Sequence, residues 1–175
     1  MLSPDEQTLT MYKLIILYIL KHMNGAMTNA QISSFILERG YTDYFTVQEA
    51  LAELAETDMI KMEKTLNVSR CTLTQEGSEM LDIFLYKITP AIREDIKEFL
   101  REKGADFRQS NSYICDYRKN SKGEYNVTLQ AQEDKEPVIE LKLSVPDEEM
   151  AIQFCKKFKD KSADIYSYVM NSLGS

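Results

Sequence analysis

Residues 9–23 constrain the fold of this chain more than any other segment, because they are apolar on every side of a helix. Tyr12, Ile15, Ile16, Ile19, Leu20 and Met23 recur at helical spacing and define one face. Met11, Leu14, Leu17 and Tyr18 occupy the other sides. Such a helix needs neighbours on more than one side, so domain packing or a dimer interface is expected around it. It is too short to span a bilayer: residues 14–20 are bracketed by Lys13 and Lys21, whereas a span needs about 20 apolar residues. No N-terminal run reads as a signal peptide, and a cytoplasmic protein without a membrane partner is expected.

Local signals divide the next stretch. Asn24-Gly25 suits a left-handed cap at the end of the first helix. Thr28 and Gln31 have capping-box spacing, in which each side chain satisfies the other's backbone N–H. Ile32, Phe35 and Ile36 give this second helix its inward stripe, and Gly40 stops it. Thr46 and Glu49 repeat the capping pattern at a third helix, whose inward side carries Val47, Ala50, Leu51, Leu54 and Ala55. The apolar period then drops to two. Residues 59–64 and 71–74 read as short strands joined by a hairpin loop over 65–70. Thr74 caps a fourth helix over 75–88. Thr89-Pro90 opens a fifth, which Gly104 is expected to end.

The second half alternates apolar and polar residues in three segments, around Tyr113–Tyr117, Tyr125–Ala131 and Ile139–Val145, with turn-like separators at 120–123 and 133–136. This predicts an antiparallel meander with one apolar and one wet face. Pro146-Asp147 opens a helix carrying Met150, Phe154 and Phe158, and a further helical segment holds Ile165, Val169 and Leu173. The expected architecture is α+β. Residues 1–88 form a helix–helix–helix–hairpin–helix domain, 89–104 a connecting helix, and 105–175 a small three-stranded antiparallel sheet covered by C-terminal helices. Cys71, Cys115 and Cys155 lack CxxC spacing, so neither a disulfide scaffold nor a zinc site is expected, only three reduced, packed thiols.

The element order of the first part is that of a winged helix-turn-helix, and Leu73-Thr74-Gln75-Glu76-Gly77 resembles the Leu-Thr-x-x-Gly signature after the wing in bacterial MarR, PadR and ArsR-type regulators. There Leu73 enters the core, Thr74 caps the next helix and Gly77 permits close backbone approach. The longer run from Lys13 through Gly40-Tyr41-Thr42-Asp43-Tyr44-Phe45-Thr46 to Met59-Ile60 resembles an uncharacterised, domain-of-unknown-function family of clostridial winged-helix proteins. That resemblance implies the fold and a regulatory role, and no ligand, target or reaction.

In a winged helix the third helix enters the major groove and its first turn reads base edges. Here that turn and its approach offer Tyr41, Thr42, Tyr44, Thr46 and Gln48 as candidate DNA-binding residues, and the hairpin adds Lys61, Lys64, Asn67, Ser69 and Arg70. The expectation is a homodimer that sets two wings one turn of duplex DNA apart, about 34 Å. The C-terminal module would stabilise that dimer or sense a small-molecule effector. Against this stands the charge: 21 Lys and Arg face 28 Asp and Glu, a net −7, so any nucleic-acid contact must come from a local basic patch. Glu49, Glu53, Glu56 and Asp58 lie on or after the third helix, where carboxylates repel phosphate. The alternative is a protein–protein interaction adaptor on the same scaffold. No catalytic triad, phosphate loop, dinucleotide motif or metal-ligand spacing appears, and no enzyme activity, cofactor or metal is expected. His22, the only histidine, reads as structural, and Asp147-Glu148-Glu149 as a helix start.

Overall fold

The apolar first helix is enclosed as its composition requires. In the computed structural model, which describes residues 4–66, 68–134 and 136–174, α1 (Pro4–Met23) packs against α3 (Tyr44–Glu56), α4 (Gln75–Phe84) and β3 (Val68–Leu73). Each residue from Leu14 to Leu20 is less than 5% exposed. At about 25 cal/mol per Å² of apolar surface, this helix is a large share of the core's stabilisation. Asn24 takes the left-handed conformation (φ +52°) that ends it.

The described residues form six α-helices and two three-stranded antiparallel sheets, an α+β architecture in two units, Met1–Arg108 and Gln109–Ser175. In the first unit, β1 (Met27–Thr28) leads into α2 (Asn29–Glu38), and the Thr28–Gln31 capping box is present in full. A hairpin of β2 (Ile60–Thr65) and β3 follows α3, and β1 pairs with β3 to give the order β1-β3-β2. The pairing of β1, Met27 with Cys71 and Thr28 with Arg70, covers two residues, too few to carry a period in the sequence. α4 and a 3₁₀ turn (Leu85–Lys87) precede α5 (Pro90–Asn111), whose Phe99 meets Phe35 of α2 with ring centroids 4.8 Å apart.

The second unit is the meander β4 (Tyr113–Lys119), β5 (Tyr125–Glu133), β6 (Glu136–Val145), covered by α6 (Glu148–Leu173). Val127, Leu129 and Val145 of the sheet are buried with Ala151 and Phe158 of α6. Asp147 caps α6 by accepting from Met150 N–H at 2.8 Å.

Five expectations change. Asp43, not Thr46, caps α3: its carboxylate accepts from Thr46 N–H at 2.9 Å, and Thr46 lies inside the helix. The hairpin loop is shorter than 65–70, because pairing continues to Thr65 opposite Val68 and puts Ser69 and Arg70 on a strand. α5 runs through Gly104 to Asn111, since Phe107 beyond the glycine packs on the same core. One unbroken α6 replaces the two C-terminal helical segments. Cys115 of β4 and Cys155 of α6 are joined in a disulfide with Cα atoms 5.6 Å apart, so only Cys71 remains a buried thiol. Cys115 faces α6 because it pairs with the buried Leu129, a proximity that 40 residues of separation conceal.

The junction between hairpin and α4 brings two backbone segments into close contact. The Thr74 hydroxyl donates to the Asp58 and Met59 carbonyl oxygens (2.6 and 2.9 Å) and accepts from Gly77 N–H at 3.0 Å. A Cβ on Gly77 would lie 2.0 Å from the Met59 carbonyl oxygen. Gly77→Ala is therefore expected to destabilise the protein by about 3 kcal/mol, through forced separation of α4 and β2. Thr74→Ala is expected to cost about 1 kcal/mol through the lost cap. Urea unfolding measures both, and a Gly77→Ala variant as stable as the parent would contradict the contact.

Candidate nucleic-acid interface

The first turn of α3 is presented by a rigid support. Asn29, at the start of α2, and Gln48, on α3, exchange side-chain amide bonds: Asn29 Nδ2 donates to Gln48 Oε1 at 2.7 Å and Gln48 Nε2 donates to Asn29 Oδ1 at 2.9 Å. The buried Ser33 hydroxyl donates to the same Asn29 oxygen at 2.9 Å. Gln48 thus fixes the angle between two helices, with its amide turned to α2. Lys13 of α1 pairs with Glu53 and anchors the other end of α3.

Tyr41 is likewise internal. Its hydroxyl donates to Asp95 of α5 at 2.6 Å, and its carbonyl accepts from the Tyr12 hydroxyl at 2.6 Å. Burial first, then the Asp95 carboxylate, pushes its pKa up from 10.0 to about 12. Thr46 donates its hydroxyl to Asp43, and the Thr46 N–H and hydroxyl hold the Asp43 carboxyl below its usual range. Asp43 is therefore ionised at neutral pH at the very end of the helix that a phosphate would approach.

The outward side of α3 carries Tyr44, Phe45, Glu49, Ala52 and Glu56, all exposed. Phe45 stands 81% exposed beside Tyr44 at 53%, their ring centroids 6.0 Å apart. Of the sequence candidates in this turn, Tyr44 alone is freely presented, while Thr42 and Thr46 are half-buried. Phe45 is not among the sequence candidates, and Glu49 figures there as a carboxylate that repels phosphate. The signal for Phe45 is positional: it lies at the second position of a helix whose inward stripe starts at Val47.

The hairpin does not align its cations. Register puts Lys61, Glu63 and Arg70 on one face and Lys64 and Ser69 on the other. Lys61 pairs with Glu63 at 2.6 Å, and Glu63 lies directly opposite Arg70. Arg70 is half-buried and donates to Thr65 Oγ1 at 2.9 Å. Lys64 is exposed and has no ion-pair partner among the described residues. Asn67, also a candidate, lies outside the described residues.

Elsewhere, His22 Nδ1 donates to the Tyr18 carbonyl at 3.0 Å, and its ring stacks on Tyr18 at 4.0 Å. An open depression of about 400 Å³ on α1 is lined by Gln7, Thr8, Met11 and Tyr12. Among the described residues no three His, Cys, Asp or Glu side chains converge as a metal site, and no helix is long and apolar enough to cross a membrane.

Residues 12–173 match the profile of a family described as a domain of unknown function (DUF4364). No curated protein matches the chain.

Tyr41 supplies a test of its assigned place. The fold favours the protonated phenol, so its contribution is complete below pH 10 and is lost as pH rises towards 12. Denaturation midpoints measured across that window are expected to fall more steeply for the parent than for Tyr41→Phe. Identical pH profiles would contradict the half-buried Tyr41–Asp95 contact.

Proposed function

The chain belongs to the domain-of-unknown-function family DUF4364, and from that premise we propose that it is a non-enzymatic regulator binding duplex DNA as a homodimer through a winged helix-turn-helix. The observation that carries this reading is the order α1-β1-α2-α3-β2-β3-α4, with α3 held by the Asn29–Gln48 pair and its outward side left uncovered. That order supports reading α3 as a recognition helix and the hairpin as its wing. The close approach of Gly77 to Met59 gives the Leu-Thr-x-x-Gly sequence a mechanical role in joining the wing to α4.

The outward residues suit base readout of a particular kind. Phe45 and Ala52 fit thymine methyl groups, and Glu49 fits the cytosine amino group. Phosphate contact falls to Lys61 and Lys64. The Lys61–Glu63 pair is exposed on both sides, worth about 0–1 kcal/mol, so exchanging Glu63 for a phosphate costs little. Four lysines in a dimer predict a modest electrostatic component, a slope of log K against log salt of roughly −4.

A second reading, docking of a basic protein segment, is favoured by the adjacent exposed rings of Tyr44 and Phe45 with Asp43, Glu49 and Glu56 around them. Fluorescence anisotropy separates the two. With a duplex from the protein's own upstream region at low salt, binding is expected, and Lys61→Glu/Lys64→Glu should weaken it at least about tenfold, since two attractions per copy become repulsions. Phe45→Ala should reduce preference over random duplex. Absence of binding to either duplex overturns the DNA reading and leaves the protein partner.

A further inference from the structure

β6 is a ten-residue strand at the edge of the second unit's sheet, with order β4-β5-β6 and no described strand on its outer side. Seven of its ten residues are exposed, among them Val138 at 43% and Leu143 at 39%. An edge of this length and exposure is a template for pairing unless something blocks it. The pattern along β6 selects what fits there. Ile139, Leu141 and Leu143 lie opposite Ala131, Leu129 and Val127, on the α6 side. Glu140 and Lys142 lie opposite Gln130 and Thr128 on the wet side and pair with each other at 3.1 Å.

We infer that β6 pairs antiparallel with β6 of a second copy of this chain, about a two-fold axis at Leu141, to form a continuous six-stranded sheet. In that register Glu140 of one copy faces Lys142 of the other, twice, on the wet side. Leu141 meets Leu141, and Ile139 meets Leu143, on the apolar side. Directly opposed unlike charges and apolar pairs are the units of cross-strand stabilisation. Neighbouring registers fail. Centring on Glu140 sets glutamate against glutamate, and centring on Lys142 sets lysine against lysine. A shift of one residue turns the apolar side of one copy towards the wet side of the other. The other edge, β4, carries a similar Asp116–Arg118 pair, but an axis at Tyr117 leaves only residues 115–119 to pair, and Asp116 is mostly covered.

This interface rests on the homodimer of the proposed function and gives it a location. Sedimentation equilibrium of the full chain tests it. Glu140→Lys and Lys142→Glu should each weaken the dimer about tenfold or more, because two attractive pairs become repulsive. The double exchange Glu140→Lys/Lys142→Glu should restore parent affinity. An equimolar mixture of the two single variants should associate as a heterodimer, since each then supplies the charges the other lacks. Heterodimer formation also shows that the single variants fold. A parent chain that stays monomeric overturns both this interface and the homodimer. A dimer insensitive to both single variants overturns this interface alone.

Discussion

Seven consecutive buried residues, Leu14 to Leu20, dictate the first unit. A helix buried on all sides has no solvent face to orient it, so its neighbours must be placed by their own local signals. Those signals are the Thr28–Gln31 capping box, the Asp43 cap and the left-handed Asn24. Each fixes where an element starts or stops, and α1 supplies the surface on which α3, α4 and β3 settle. The charged groups that do touch α1 lie near its flanks, as Lys13 with Glu53 and Lys21 with Asp82.

The Met59 carbonyl is where this packing acquires a shape relevant to function. It receives the Thr74 N–H and hydroxyl and sits against the bare Cα of Gly77. The hairpin is thereby tied at its base to α4, and Lys61, Glu63 and Lys64 are exposed along β2. Residues 60–73 carry Lys61, Lys64 and Arg70 against Glu63, a local excess of two positive charges that Glu63, paired with Lys61 and opposite Arg70, partly offsets. In the proposed reading, recognition relies more on the shape of α3 and apolar base contacts than on a strong positive field, consistent with a chain of net charge −7.

Local chemistry was legible in the sequence and long-range pairing was not. The Thr28–Gln31 box, the Thr74 cap, Pro90 at the start of α5 and the alternation in β4, β5 and β6 all depend on residues within a few positions of each other. Tyr41 and Gln48 looked like surface candidates because their partners, Asp95 and Asn29, come from other helices. Arg70 was assigned to a loop because Leu66, which makes the turn with φ +50°, is no turn former. The Cys115–Cys155 disulfide escaped because an odd cysteine count without short spacing hides a pair that only the α6-on-sheet packing brings together. Phe45 carries no polar group that marks it as a candidate, although its place just inside the Asp43 cap sets it outward.

In the proposed reading, the outward side of α3 and the β2–β3 hairpin form one surface that meets duplex DNA. An amide-resolved NMR titration with a short duplex addresses it most directly. Shifts are expected to concentrate at Tyr44, Phe45, Glu49, Lys61 and Lys64, with β4, β5 and α6 unaffected. Shifts absent throughout, or confined to the second unit, would contradict it.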